Sequence, residues 1–332
     1  MSDIPARKAS GSAGVRVLPG GGGQPHEPAA ATVVRLPRDL TVRTAHAFCR
    51  TVAAEIPGGG RALTLEGSDV ARVDAVGLSA LLQSARVAEQ RHVPCVVQTN
   101  HLLHHAMIEA QVIDDVPTTP RITPAVTGAA DDAPTVVLAR AAPLTVRTPE
   151  SADLPLFETW ARDPFLDQMV GSDLLYRCRH LGAADPHVGD SVLADVTSIT
   201  ALVEVENQAG PPLGFTRLYD IRLIEGLAFL EVVIADHRAL RRGWGIFAAR
   251  LLIAWAHDAL GIRRIEAKAY AYNAPSINAL RRNGFQQEGV LREARLFDGQ
   301  YWDILVFAML DREMQQQRAQ ETFPYMGFWD AA

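Results

Sequence analysis

The chain predicts two α/β domains in tandem, on three observations. Its 332 residues suit about two domains at the usual ~150 residues each. Between residues 31 and 118, short apolar strand-like runs alternate with helical spacing, the order of a small open α/β sheet. Further on, the strand-like run Phe229–Ile234 leads through a glycine turn into a long apolar helix.

Taken in order, residues 1–30 hold four consecutive glycines (Gly20–Gly23) and several prolines without apolar periodicity, and are expected to be a disordered leader. Residues 32–36 then read as a strand, 45–56 as an amphipathic helix and 61–66 as a second strand. Asp74-Ala75-Val76-Gly77-Leu78 is a turn opening a helix through about Gln90, followed by a strand at 94–98 and a helix at 101–110. Residues 119–141, interrupted by Pro120 and Gly128, read as a linker. A second domain is expected over 142–314 and a C-terminal tail over 315–332. The aromatic run Phe323–Trp329 is expected to dock on the body or on a second subunit.

The informative stretch is Arg241-Arg242-Gly243-Trp244-Gly245-Ile246-Phe247-Ala248. A strand followed by a glycine turn and a helix leaves unpaired N–H groups at the helix start. With the helix dipole behind them these amides form an anion site suited to a pyrophosphate. Downstream, Arg264–Ala269 alternates as a strand. Asn273, Pro275 and Gly284 then supply the cap, first turn and exit of a helix. Glu288–Arg292 and Gly299–Asp303 read as strands of a closing hairpin.

The ordered motifs Arg-Gly-x-Gly, Asn-x-x-Ser-Ile, Gly-Phe-x-x-Glu-Gly-x-Leu-Arg and Tyr-x-Asp, spread over residues 142–314, resemble the GNAT superfamily of acyl-CoA N-acyltransferases. The resemblance is closest to the branch containing the ribosomal-protein-alanine acetyltransferases. It implies a mixed, splayed sheet flanked by helices, with acyl-CoA in the gap between central strands and acetyl transferred directly to an amine. It also implies that Arg241, Arg242, Gly243 and Gly245 form the pyrophosphate turn, with amides from Trp244, Ile246, Phe247 and Ala248. Val232, Val233 and Ile234 would pair with the pantetheine arm. Asn273 and Ser276 would contact the cofactor, and Arg281 or Arg282 the ribose phosphate. For Asn273 a plain N-cap is an equal reading, and for the arginines so is a solvated helix face.

Two residues depart from the pattern. Phe247 stands where a third small residue is usual and either points away from the diphosphate or narrows the site. Leu280 stands where many relatives carry a tyrosine that protonates the departing thiolate, which leaves the general acid unassigned. The chemistry needs a base for the amine and donors for the developing oxyanion. Glu231, on the strand beside the expected reaction centre, is the first candidate base, with an outward-facing charge as the alternative. Asp303 is a candidate ammonium contact and Tyr301 a candidate acid or pocket wall. Cys178 stays open as an acyl carrier, although no cysteine lies in the motifs.

The Asp74–Leu82 turn, with the element order over 31–118, resembles the STAS domain of anti-sigma-factor antagonists. Signalling members carry a phosphorylatable Ser or Thr just before the glycine; Val76 has no hydroxyl, so that switch is absent. The domain is expected to dock a partner, to recruit a protein substrate, or to pack on its own second domain.

Composition bounds the rest. The formal charge of −6 speaks against a generic nucleic-acid face and suits a cationic acceptor, a small amine or a protein N-terminus. No run is long and apolar enough to span a bilayer. Three cysteines without Cys-x-x-Cys spacing and the absence of a signal-like start favour a reducing cytoplasm. His101 and His105 share a helix face without an evident third ligand, so no metal is expected. The cofactor expected is acetyl-CoA, and a homodimer is possible. The competing reading is a regulatory scaffold whose second half binds acyl-CoA without turnover.

Overall fold

The computed structural model describes residues 31–56, 61–120, 135–182, 185–206 and 210–320. The expected leader, most of the expected linker and the aromatic tail lie outside the described residues.

In the N-terminal half, strands β1 (Thr32–Arg35), β3 (Leu63–Gly67), β5 (Cys95–Thr99) and β6 (Thr118–Pro120) form a parallel sheet in that order. Helices α1 (Ala45–Glu55), α2 (Ala75–Gln90) and α3 (His101–Glu109) connect them, and β2 (Asp39–Leu40) pairs briefly with β4 (Arg72–Val73). Side-chain caps start two of these helices. Asp74 accepts from the Gly77 N–H at 2.8 Å, and Asn100 accepts from the Leu103 N–H at 2.9 Å. The buried Asn100 also ties its helix to the β3–β4 turn by donating to Val70 O at 2.6 Å.

The C-terminal half is built on one eight-stranded sheet. Its order is β13 (Gln286–Phe297), β14 (Gln300–Leu310), β12 (Arg264–Tyr270), β11 (Leu227–Ile234), β10 (Gly214–Arg222), β9 (Ile199–Val205), β8 (Leu144–Arg147), β7 (Val137–Ala141). Strand β7 lies within the stretch expected as linker, so the sheet begins ahead of residue 142. All neighbours run antiparallel except β11 and β12. One face carries α8 (Trp244–Leu260) and α9 (Ala274–Arg282). The other carries four short helices: α4 (Leu154–Ala161), α5 (Pro164–Met169), α6 (Asp173–Leu181) and α7 (Pro186–Leu193). A last helix, α10 (Asp311–Gln320), follows β14 and carries the chain past the expected boundary at 314.

The two halves share one continuous apolar core. Helix α2 explains this, because every residue from Ala75 to Leu82 is buried. A helix that is buried all round must be covered on both sides. One side packs on the N-terminal sheet and α1, the other on α8. At this junction Ser79, 3% exposed, donates to Ala259 O at 3.4 Å, and the Ala75 N–H donates to Asp195 O at 3.4 Å. The N-terminal domain thus packs on its own second domain, one of the three roles expected for it.

Candidate active site

The site starts from an interrupted ladder. Strands β11 and β12 pair in parallel only over Leu227–Phe229 against Arg264–Glu266, and beyond that point they diverge. Leu230–Ile234 and Ala267–Tyr270 therefore flank an open wedge. It continues into a cleft of about 1740 Å³ bounded by α5, the start of α6, the turn before α8 and the start of α9. The expected splay is present, with a free backbone edge along β11 past Phe229.

At the base of the wedge, α8 begins after Gly243, whose φ of 87° favours glycine. Arg241 is also left-handed, at φ 63°, and lines the cleft. The amides that remain free differ from those expected. Ile246 and Phe247 donate to Gly243 O at 3.0 and 3.1 Å, and Ala248 lies inside the helix. Among the described residues, Arg242, Gly243, Trp244 and Gly245 have N–H groups with no backbone acceptor outside the regular elements. The donor set thus starts two residues and ends three residues earlier than sequence placed it, with Trp244 and Gly245 in both. Phe247 does not line the cleft; its ring packs beside Trp244 and the apolar core, within 3.8 Å of where a Gly243 Cβ would be. It therefore points away and does not narrow the site.

Strand alternation sends Glu231 to the α6 side of the sheet, into the cleft. Arg217 on β10 stands opposite it in register, flanked by the Phe215–Val233 and Tyr219–Phe229 pairs. Burial pushes the Glu231 carboxyl above the ordinary carboxylate range. A hydrogen bond from Ser172 and the Arg217 charge oppose that shift. Tyr219, Lys268 and Tyr270 complete the surroundings, with Tyr270 seated against Gly171.

Residues 143–286 match the family model of the acetyltransferase (GNAT) domain, and residues 24–118 match that of the Mlab STAS domain. The chain carries a STAS domain followed by a GNAT acetyltransferase domain. An uncharacterized N-acetyltransferase, p20, of Bacillus licheniformis is 38% identical over 72 residues; the match covers 22% of this chain and 40% of that protein. Among solved structures, RimL, a ribosomal L7/L12 α-N-protein acetyltransferase in complex with coenzyme A, aligns at TM-score 0.46 and 19% identity. That alignment covers 53% of this chain and 99% of RimL. Spermidine N-acetyltransferase from Vibrio cholerae, in complex with CoA and spermine, aligns at TM-score 0.44 and 18% identity over 52% of this chain and 98% of that one.

Several expected site residues of the GNAT domain lie elsewhere. Val233 is buried on the α6 side in the core; Val232 and Ile234 line the cleft. Arg242, Ala248 and Arg281 do not line it, whereas Ser276, Asn278 and Arg282 do. Asn273 is 7% exposed, and both ends of its amide have partners. Oδ1 accepts from the Ser276 N–H at 3.1 Å, and Nδ2 donates to Met169 O at 2.8 Å. It caps α9 and straps α5 to it, which fits the N-cap reading.

Tyr301 is 62% exposed at the start of β14, outside the cleft, and Asp303 is spent on structure. The Asp303 carboxylate accepts from the Glu293 N–H at 2.9 Å inside an irregular stretch of β13. Cys178 is buried in the α4–α6 core outside the cleft, and burial pushes its thiol up to about 11. His237 sits at the cleft rim, with Nε2 2.7 Å from Asp163 Oδ2 and its ring beside Phe165. His104 Nδ1 lies 3.4 Å from Thr99 Oγ1; among the described residues no metal-ligating group of three gathers. No described helix is long and apolar enough to cross a membrane.

Sequence reasoning missed Arg217, Tyr219, Tyr270 and Ser172. A readable signal existed for the first two. In Phe215-Thr216-Arg217-Leu218-Tyr219, period-2 alternation puts Arg217 on the same face as two aromatic residues, a position where a charge is rare without a task.

Proposed function

We propose that this protein is an acyl-CoA-dependent N-acetyltransferase, with its STAS domain acting as a brace for the catalytic domain. The observation that carries the reading is the wedge between β11 and β12 with free turn amides at its base. The residues present fit acetyl-CoA. The Gly243, Trp244 and Gly245 amides, which line the cleft, and the α8 dipole suit an anionic diphosphate. Leu230–Ile234 pair with β10 on one side, and their other backbone edge, free toward the wedge, suits an extended chain bearing amides. A Cβ on Gly245 would sit 3.5 Å from Ile234 and 3.6 Å from Val232, so anything larger projects from the turn against the strand. When bound, acetyl-CoA supplies the activated acyl group as a thioester.

Glu231 takes the proton from the acceptor ammonium. Its raised pKa brings the carboxylate nearer to neutrality than an exposed one and improves the match for that transfer. Ser172 holds the carboxylate, and N–H groups on the free stretch of β11 face developing negative charge. Tyr270, which lines the cleft and is kept protonated by burial, is a candidate for the acid that Leu280 leaves unassigned. The burial of α2 against α8 supports the bracing role over a regulatory scaffold that presents this helix to a partner.

Thermal unfolding with and without acetyl-CoA tests the reading, alongside Gly245→Asp. A ligand at ~100 times its dissociation constant adds ~2.7 kcal/mol to the folded state. At ~2–4 °C per kcal/mol that is a rise of about 5–10 °C. The parent is expected to shift and the variant, with a charged side chain forced between the turn and the β11 edge, is not. No shift in the parent, and no acetylation of any amine, would sink the proposal.

A further inference from the structure

Arg217 is a buried charge of the cleft with an unsatisfied donor, and the Glu231 carboxylate is the first of the charges that act on it. It is 5% exposed, and its one hydrogen bond among the described residues runs from Nη2 to Ser198 Oγ at 3.0 Å. Ser198 in turn donates to Asp195 Oδ2 at 2.8 Å, and the other Asp195 oxygen accepts from Thr197 N and Oγ1 at 2.7 and 2.9 Å. Nε of Arg217 has no partner, and no described carboxylate oxygen lies within 4.0 Å of the guanidinium. Arg147, a largely buried arginine of the same sheet, shows the contrast. It is paired with Asp153 at 2.7 Å and Glu204 at 2.8 Å.

A buried, unpaired guanidinium is costly, and a planar carboxylate that takes two N–H groups is its natural complement. Arg217 lines the cleft directly across the sheet from the candidate base. Side chains at such opposed positions start from Cβ atoms about 4.5–5.5 Å apart. An amine held at Glu231 is therefore within a few bonds of a group held at Arg217.

We propose that Arg217 binds a carboxylate of the acceptor, so that the acceptor is an amine-bearing acid of amino-acid size. This rests on the acetyltransferase reading above. A diamine or polyamine would instead bring a second cation against the guanidinium. Tyr219, whose ring centre lies 5.7 Å from the Arg217 guanidinium carbon, would hold the fork in plane.

The test uses the full chain, acetyl-CoA and a panel of amino acids, each paired with its own carboxamide. CoA release gives kcat/KM, and calorimetry of acid and amide binding to the CoA-loaded protein gives affinity without turnover. A charge-assisted hydrogen bond contributes ~1.5–3 kcal/mol, which is a preference of about 10–100-fold for acid over amide. Arg217→Gln is expected to erase that preference mainly through KM, and Arg217→Lys, which keeps the charge without the fork, to recover part of it.

An amide equal to its acid in every pair overturns the assignment, as does a preference that survives Arg217→Gln. Polyamines or aminoalkyl phosphates preferred over every acid would also overturn it. If Arg217→Gln does not fold, as shown by loss of the acetyl-CoA thermal shift, Arg217→Lys carries the test and must weaken the preference. If no amine is acetylated, the acetyltransferase reading fails on its own. Calorimetry then still decides Arg217: acid binding lost in the variant supports the site, and equal binding or none refutes it.

Discussion

Gly77→Ala should destabilise the protein although it places a better helix former inside a helix. Gly77 lies in the first turn of α2. A Cβ there would overlap the Leu40 carbonyl oxygen, 2.5 Å from Leu40 C and 3.0 Å from Leu40 Cγ. Carbon atoms rest at about 3.5–4.0 Å, so Leu40 or the helix must give by roughly 1 Å. Neither is free to do so. Leu40 is fully buried and its carbonyl accepts from the Asp74 N–H at 3.3 Å, while α2 is wedged against α8. Overpacking of this kind costs ~1–3 kcal/mol, and a weakened buried hydrogen bond adds ~1. The gain in helix propensity returns only about 0.5–1 kcal/mol.

The balance is a net loss of about 1–3.5 kcal/mol, or roughly 2–14 °C in Tm for a unit of this size. Differential scanning calorimetry measures it. Gly189→Ala is the control, because a Cβ at that helical position meets only Leu154 Cδ1 at 4.0 Å. The control should be neutral or slightly stabilising. An unchanged Tm in Gly77→Ala would refute the claim that close backbone approach, rather than local flexibility, requires this glycine.

Two further outcomes follow from buried carboxyls. Burial pushes the Asp74 cap up to about 6, against ~3.9 in an unfolded chain. Between those values the folded state holds the proton that the unfolded state has released, so stability falls as pH rises through the window, by roughly 3 kcal/mol in all. The stability difference between parent and Asp74→Asn should therefore shrink between pH 4 and pH 7; a flat difference in urea titrations would contradict the shift. Burial also raises Glu231 above the ordinary carboxylate range in the free protein, so the acid limb of kcat/KM should lie above that range in the parent. The limb should vanish in Glu231→Gln, along with ~10²-fold or more of the rate at neutral pH. A limb that persists in the variant assigns the base to another group.

The wedge was legible because its parts are local. A strand, a glycine turn and a long apolar helix follow each other between Leu227 and Leu260, and each carries its own signal. The free amides were not, because which N–H groups stay unpaired depends on how the first turn closes on Gly243 O. Tyr301 and Asp303 failed for a different reason. Register shifts between Gln287 and Gly289 and between Leu291 and Arg295 break the two-residue alternation of the hairpin, so facing cannot be counted along it. The α4–α7 segment was opaque since helices of six to nine residues are too short for periodicity to show. Their caps were readable all the same. Asp163-Pro164, Ser172-Asp173 and Asp185-Pro186 each place an N-cap before a helix start.

The relation between the halves was written in α2 and needed the structure to be read. Apolar or small residues fill all sides of Ala75–Leu82, more than a helix on one small sheet requires. Val76 fits that pattern: at 2% exposed, a hydroxyl there would need a buried partner, and valine needs none. The end of the same helix donates to Asp195 O, and Asp195 holds Ser198, which holds Arg217 opposite Glu231. Each link is a single hydrogen bond or a cross-strand pair, so the chain of contacts fixes positions more than it stores energy. It links the start of α2 to the Arg217 side of the cleft.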